Sequence, residues 1–183
     1  MIRFIDYLND CLKDPEFKAY WDELESDDLL EETITEISDK DIWEALKLVE
    51  SEVDLDAIID NKGIQATVDI PNTIEFFELD GKCPVVDFLS TIDNPKLKTK
   101  TLRSIKQLAI LGNKAKHPLS DHIKDGIFEL RTEQSNNITR VFYFFVYGSK
   151  IILTNGYIKK TQKMDISEFN KAKKYRNLYY ENN

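Results

Sequence analysis

The sequence is poor in the features that mark secreted and membrane proteins. It has only two cysteines, Cys11 and Cys83, which lie far apart and show no Cys-x-x-Cys spacing. Such a pair is typical of idle thiols in a reducing compartment, with a disulfide or a metal site as the alternative. The N-terminus has no apolar signal-peptide core, and no apolar run approaches the roughly 18 residues that a membrane helix needs. These absences predict a cytoplasmic protein that does not contact the membrane.

The charged residues divide the chain into two unlike parts. Residues 1–70 have 21 acidic and 6 basic side chains, a net charge of −15, whereas residues 71–183 have 12 acidic and 19 basic ones, a net charge of +7. We therefore predict two regions, 1–70 and 71–183, with the boundary near Pro71-Asn72. An acidic region joined to a basic one suggests an anion-binding surface and an acidic partner for it. The alternative is a solvated acidic arm that has no partner.

The acidic region has the periodicity of helices. Phe17, Tyr20, Trp21 and Leu24 fall on one face of a helix that begins at Pro15. Further helices are expected in residues 5–12, 29–37, 38–49 and 55–59, and a weak strand in residues 64–70. The region is therefore predicted to be mostly helical.

The basic region predicts an α+β fold. A strand at residues 73–79 precedes two helices, at 85–92 and 95–111, and a last helix is expected at 165–180. Three strand candidates lie between them, at 126–132, 139–147 and 150–158, and the aromatic middle one should be central and buried on at least one face. Short polar turns separate these strands. The order β-α-α-β-β-β-α predicts helices against one face of an antiparallel sheet.

Cations gather at the ends of these three strands. Arg131 ends the first strand, Arg140 opens the second, and three lysines follow the third: Lys159, Lys160 and Lys163. If the strands are neighbours, these side chains can meet on one surface and bind an RNA backbone, since cations neutralise the charge that grows on phosphate in a transition state. The alternative is that the arginines pair with Glu129 or Glu133 on the sheet surface and the lysines lie in a solvated loop.

Other side chains could complete such a site. Gln162 and Tyr143 could add hydrogen bonds or base stacking, although a tyrosine in this strand is more often a core residue. His117 and His122 have no cysteine or carboxylate pattern around them, so a metal site is not expected. His117 as a proton-transfer group remains an alternative to an ordinary loop histidine.

The motifs LAILGNKAKHPLSDHIKDGIFELR, RVFYFF and GYIKKTQK, in this order, resemble the HigB-like, phage-derived branch of the RelE/ParE toxin superfamily. The resemblance implies a RelE-like fold over residues 72–183 and an mRNA endonuclease that acts on ribosomes without metal or cofactor, by attack of the RNA 2′-hydroxyl on its phosphate. Six residues stand at the motif positions of the family, which implies catalytic roles for Arg131, Arg140 and Lys160 and RNA binding by Lys159, Gln162 and Lys163. Tyr143 is a further candidate for RNA binding from its place in the second strand alone.

Two departures from the pattern concern the last helix. Asp165 stands near the usual proline of this branch, and Phe169 stands where some RelE-type members have a tyrosine for proton transfer. The general base is therefore unassigned, with His117, Tyr157 and Tyr143 as candidates.

The segment YLNDCLKDPEFKAYWDELE resembles the leading segment of the HigA-type antitoxins that partner such toxins. The DNA-reading helix that normally follows is absent, so direct DNA binding is not expected. The hypothesis is a type II toxin–antitoxin system toxin, bound by such an antitoxin or restrained by its own residues 1–70; the alternative is that these residues complete the core or a dimer interface. Other functions left open are a non-catalytic binder of RNA, ribosome or protein, and a gyrase inhibitor.

Overall fold

The fold is described by a computed structural model for residues 1–31, 72–146, 149–159 and 165–182. In these ranges the elements are β1 (Ile2–Arg3), α1 (Phe4–Cys11), α2 (Pro15–Glu31), β2 (Thr73–Phe76), α3 (Pro84–Ser90), α4 (Pro95–Leu111), a 3₁₀ turn (Gly112–Lys114), β3 (Ser120–Lys124), β4 (Ile127–Gln134), β5 (Asn137–Val146), β6 (Lys150–Lys159) and α5 (Ile166–Asn182). The α+β class is confirmed. The helices and the strand predicted within residues 32–70 lie outside the described residues, and the boundary near residue 70 stays a prediction.

The described strands form one sheet in the order β1-β2-β6-β5-β4-β3. Neighbouring strands are antiparallel except β2 and β6, which run parallel with Ile74 opposite Ile151. The expectation of a wholly antiparallel sheet is therefore wrong at this pair. Between β2 and β6 the chain passes through α3, α4 and three strands. A connection of this length allows two strands to pair in parallel.

The strand β3 was not indicated by the sequence. Its residues, SDHIK, are mostly polar, in keeping with its place at one edge of the sheet that the described strands form, where it pairs with β4. The connection to β4 is the two-residue turn Asp125-Gly126, in which both φ angles are positive (53° and 73°). Asp-Gly is the residue pair that a tight hairpin turn of this kind favours.

The central strand β5 is buried on both faces, which explains its apolar run. Val141 and Tyr143 belong to one core, together with α3 and α4 residues such as Leu102. Phe142 and Phe144 belong to a second core, which Phe169 and other α5 residues complete on the opposite face. The expectation of helices on one face is therefore corrected: successive side chains of a strand point to opposite faces, and here both faces are apolar.

The helices α1 and α2 are built into the first of these cores. Phe4, Leu8, Phe17 and Trp21 are buried there, in keeping with the predicted helical face of Phe17 and Trp21. Residues 1–24 and 70–183 form one compact unit. None of the helices in the described ranges is long and apolar enough to cross a lipid bilayer.

Candidate functional site

The two arginines singled out in the sequence lie opposite each other in the sheet. Arg131 of β4 and Arg140 of β5 are register partners. Directly opposed residues of an antiparallel pair point to the same face with their Cβ atoms close together. The structure therefore brings these two cations together.

A buried carboxylate joins the two guanidinium groups. Arg131 Nε donates to Glu129 Oε1 and Arg140 Nη1 donates to Glu129 Oε2, both at 2.7 Å. The side chain of Glu129 has no exposed surface and that of Arg140 is 7% exposed. Two short charge-assisted hydrogen bonds offset the cost of taking this carboxylate out of water. The alternative in which the arginines pair with Glu129 is thus observed, although the pairing is buried instead of lying on the surface.

The cluster continues from Arg131 to the sheet edge. Arg131 Nη1 lies 2.8 Å from Asp121 Oδ2 on β3, and His117 Nδ1 lies 3.5 Å from the same oxygen. The His117 side chain is 71% exposed, so its ring is open to solvent. His117, Asp121, Arg131, Glu129 and Arg140 thus form one chain of charged and polar contacts, which we call the arginine cluster.

A cavity of about 510 Å³ opens beside the arginine cluster. Its wall combines α4, the loop before β3 and the ends of β4, β5 and β6, and its residues include four cations and a histidine: Lys100, Arg131, Arg140, Lys159 and His117. Four of the residues predicted for the site therefore share one cavity. A pocket of this size lined by several cations has the room and the charge to take a nucleotide phosphate.

The structure places Tyr143 in the core, which corrects its assignment to RNA binding and to proton transfer. Tyr143 has no exposed surface, its ring stacks on Phe128, and its hydroxyl lies 2.6 Å from Ser120 Oγ in a hydrogen bond. Burial also raises the pKa of Tyr143 above its ordinary value. A residue of the aromatic central strand packs inside because that is where its apolar area is removed from water.

Tyr157 lies at a different cavity. Its hydroxyl accepts a hydrogen bond from the Asp165 backbone N–H at 3.2 Å, and its ring stacks on Phe142. Tyr157 and Asp165 both line a cavity of about 700 Å³ between α3 and α5. Tyr157 does not line the cavity beside the arginine cluster, but it is the register partner of Arg140 across the β5–β6 ladder, so its role in proton transfer stays a prediction.

Three predicted residues, Lys160, Gln162 and Lys163, lie outside the described residues, and their roles stay predictions. Asp121 and Lys100 were not predicted to join the site. Asp121 could have been found only by recognising β3 as a strand, since it faces Glu129 across the β3–β4 ladder. Its signal in the sequence is the Asp125-Gly126 turn, which predicts a hairpin with β4.

The two thiols lie away from the arginine cluster. Cys11 and Cys83 are both free thiols in the structure, and burial raises the pKa of each above its ordinary value. Protonated thiols are poor nucleophiles. Among the described residues, no three histidine, cysteine or acidic side chains come together as candidate metal ligands.

Comparison with known proteins gives one family. The model of a family described as phage-derived protein Gp49-like (DUF891) matches residues 87–177, from α3 to α5, a range that contains the whole arginine cluster. No curated protein matches the chain. Residues 87–177 thus carry the sequence pattern of the Gp49-like phage-derived proteins, a family of the RelE/HigB-like toxin group.

Proposed function

We propose that this chain is the toxin of a type II toxin–antitoxin system and that it cleaves mRNA on the ribosome. The observation that carries the proposal is the pairing of Arg131 with Arg140 beside a cavity that also has Lys159 and His117 in its wall. The match to a toxin-like family supports it. The ribosome-bound target comes from the resemblance of the motifs to HigB-like toxins.

In the proposed reaction the RNA 2′-oxygen attacks the adjacent phosphorus and gives its proton to a base. The bond from phosphorus to the 5′-oxygen breaks, and that oxygen takes up a proton, which leaves a 2′,3′-cyclic phosphate and a 5′-hydroxyl. Negative charge grows on the non-bridging phosphate oxygens meanwhile. In this proposal the guanidinium groups of Arg131 and Arg140 stabilise this charge, because fixed donors in a partly dry site act most strongly on it.

We assign proton transfer to His117. An imidazole changes its charge near neutral pH, as a general acid or base must. Asp121, 3.5 Å from Nδ1, can orient the ring and leave the other nitrogen for the RNA. Lys159 would bind the RNA backbone as a point charge.

The test is an in vitro translation reaction followed by primer extension on the mRNA. The full chain is expected to leave cuts at codons in the ribosomal A site, and the same mRNA without ribosomes should stay intact. Absence of cuts both with the folded chain and with a variant whose acidic residues in the range 32–69 are replaced by their amides would remove the nuclease proposal.

The proposed partner is a HigA-type antitoxin or the acidic N-terminal part of the chain itself. The support is the division of charge, −15 in residues 1–70 against +7 in residues 71–183. If the acidic N-terminal part inhibits the toxin activity of its own chain, replacing the acidic residues of the range 32–69 by their amides should strengthen the growth arrest of cells that express the chain. Unchanged arrest would leave a separate antitoxin as the partner.

A second candidate is a non-catalytic module that binds RNA, the ribosome or a protein. Both arginines already bind carboxylates, and Phe169, at the position of the tyrosine of some RelE-type members, is buried in the second core. The primer-extension assay separates the two candidates, because a binder would slow translation without leaving cuts. Gyrase inhibition would appear instead in a supercoiling assay that contains no RNA.

A further inference from the structure

The arginine cluster holds as many acids as arginines. Glu129 and Asp121 balance the charges of Arg131 and Arg140, and each arginine bonds at least one of the two acids at 2.7 or 2.8 Å. A site selected only for phosphate affinity would gain from leaving its cations without carboxylate partners, since each carboxylate repels the incoming phosphate. The two acids therefore need an explanation other than affinity.

Burial makes Glu129 the more costly of the two acids. Its carboxylate is completely enclosed, and both of its oxygens accept an arginine hydrogen bond. Replacing such a pair by apolar residues is often neutral or stabilising, so a buried ion pair is weak evidence for a role in stability. What the arrangement does supply is orientation, because a carboxylate with two bonded oxygens fixes the planes of both guanidinium groups.

One buried donor of Arg140 indicates which ligand the fixed orientation would favour. Arg140 Nε is buried and has no hydrogen-bond partner within the described residues. An unpaired buried donor costs free energy, and an oxygen ligand beside Arg140 would remove that cost. Because Glu129 binds Nη1 and the guanidinium group is planar, the direction in which the other N–H groups of Arg140 donate is also fixed.

We propose that Glu129 is a positioning residue that aligns Arg131 and Arg140 for an RNA phosphate, with Asp121 as the second anchor of Arg131. The proposal rests on the function proposed above and adds that Glu129 acts in opposite directions on RNA binding and on catalysis. Glu129 weakens the ground-state attraction of the site for RNA and holds the guanidinium groups in the geometry that the transition state requires. Catalysis gains only from interactions that are stronger in the transition state than with bound substrate.

The test compares Glu129→Gln and Asp121→Asn with the unchanged chain. Binding is measured with a 2′-O-methyl oligoribonucleotide, which cannot be cleaved because it lacks the attacking hydroxyl, and kcat and KM with ribosome-bound mRNA. For Glu129→Gln we expect binding about two- to fivefold tighter, the size of one partly screened like charge. We expect kcat to fall by roughly 10- to 100-fold, because small displacements of groups in an active site lower rates by factors of this size. Asp121→Asn should change both quantities in the same directions by smaller factors.

The matched control is Asp125→Asn. It removes one acid and breaks one exposed ion pair, with Lys173 on α5, and asparagine tolerates the positive φ of 53° at this position. Binding and kcat should stay at their original values. If the control shifts them as Glu129→Gln does, the effect is one of net charge and the positioning role is overturned.

The opposite directions of the two effects separate positioning from a merely structural role. A structural residue would lower binding and kcat together with the folded fraction, which circular dichroism measures, and that outcome overturns the proposal. Unchanged kcat in both variants also overturns it. If Glu129→Gln does not fold, Asp121→Asn decides the outcome, because the Asp121 side chain is 31% exposed. If the unchanged chain leaves no cuts, the nuclease function fails by itself. The binding arm then decides the role of Glu129: tighter binding by Glu129→Gln supports it and unchanged binding overturns it.

Discussion

At the scale of single residues, Arg131 and Arg140 share one carboxylate but differ in burial. The Arg131 side chain is 31% exposed and that of Arg140 is 7% exposed. The pairing of Arg131 is therefore screened by water, whereas that of Arg140 is not. We expect substitution of Arg131 to lower mainly the activity and substitution of Arg140 to lower mainly the stability.

Arg131→Ala should lower kcat/KM for ribosome-bound mRNA by about 100- to 1,000-fold, the loss that removing one preorganised charge-stabilising donor gives. The free energy of unfolding should also fall, by about 1–3 kcal/mol, because the enclosed Glu129 keeps only Arg140 as a partner, although the Arg131 side chain itself is partly solvated. Primer extension and urea titration measure the two effects. Lys173→Ala, which removes a cation from α5 where it pairs with Asp125, should keep full activity. Equal activity of both variants would contradict the role of Arg131.

Arg140→Ala should lower the free energy of unfolding by about 3–5 kcal/mol, because it leaves the enclosed Glu129 with a single partner. Thermal unfolding followed by circular dichroism measures the loss. The double variant Glu129→Ala/Arg140→Ala should be more stable than the sum of the two single losses predicts, since neither charge is then left behind. Additive losses would mean that the two charges do not interact.

Some features of single residues in the site could be predicted from the sequence and others could not. That Arg131 and Arg140 meet on one surface could be predicted, because the two strands follow each other through a short turn. Their direct pairing could not, because the register depends on the exact residues of that turn. The burial of Glu129 could not be predicted either, since its register partner Phe142 belongs to the second core, and the sequence does not show which elements build that core. The assignment of Tyr143 to the site was wrong for a related reason: the sequence shows an aromatic strand but not which side chain meets which helix.

At the scale of elements, β6 is held closely by α3. An added Cβ at Gly156 would lie 2.4 Å from the Phe88 ring and 2.9 Å from the Arg140 carbonyl oxygen. The glycine therefore lets α3 approach the strand beside one of the site arginines. Periodicity predicted α3 and β6 separately, but it did not indicate which helix packs against which strand.

Gly156→Ala should lower the free energy of unfolding by about 1–3 kcal/mol, the usual cost of forcing extra volume into a packed site. The shift of β6 should also lower activity, because Arg140 faces Tyr157, the next residue of β6. Urea unfolding and primer extension are the measurements. Gly81→Ala is less informative as a comparison, since its φ of 74° adds backbone strain although no atom lies within 4 Å of its added Cβ. A Gly156→Ala chain with unchanged stability would mean that Phe88 can move aside freely.

At the scale of the whole molecule, the acidic N-terminal part begins with residues that belong to the core. Trp21 packs in the first core, and the charged groups of Arg103 and Lys106 on α4 each lie 5.6 Å from its ring centre. Tyr20 has a similar contact with Lys96. The helix α2 thus packs against the basic face of α4 through Tyr20 and Trp21, a contact that the composition alone could not predict. Truncating the chain at residue 71 to test self-restraint would therefore also open the core.

Trp21→Ala should lower the free energy of unfolding by about 3–5 kcal/mol, the typical cost of emptying a buried aromatic site, and part of that loss comes from the two cation contacts with α4. Urea titration measures it, with Ile5→Ala as the control, because Ile5 lies in the same N-terminal part but is 52% exposed. The control should change stability by no more than about 0.5 kcal/mol. Ribosome-dependent cleavage by the folded fraction of Trp21→Ala should stay unchanged, since Trp21 does not line the cavity of the arginine cluster. A Trp21→Ala chain as stable as the original would mean that the contacts of Trp21 add no net stability to the fold.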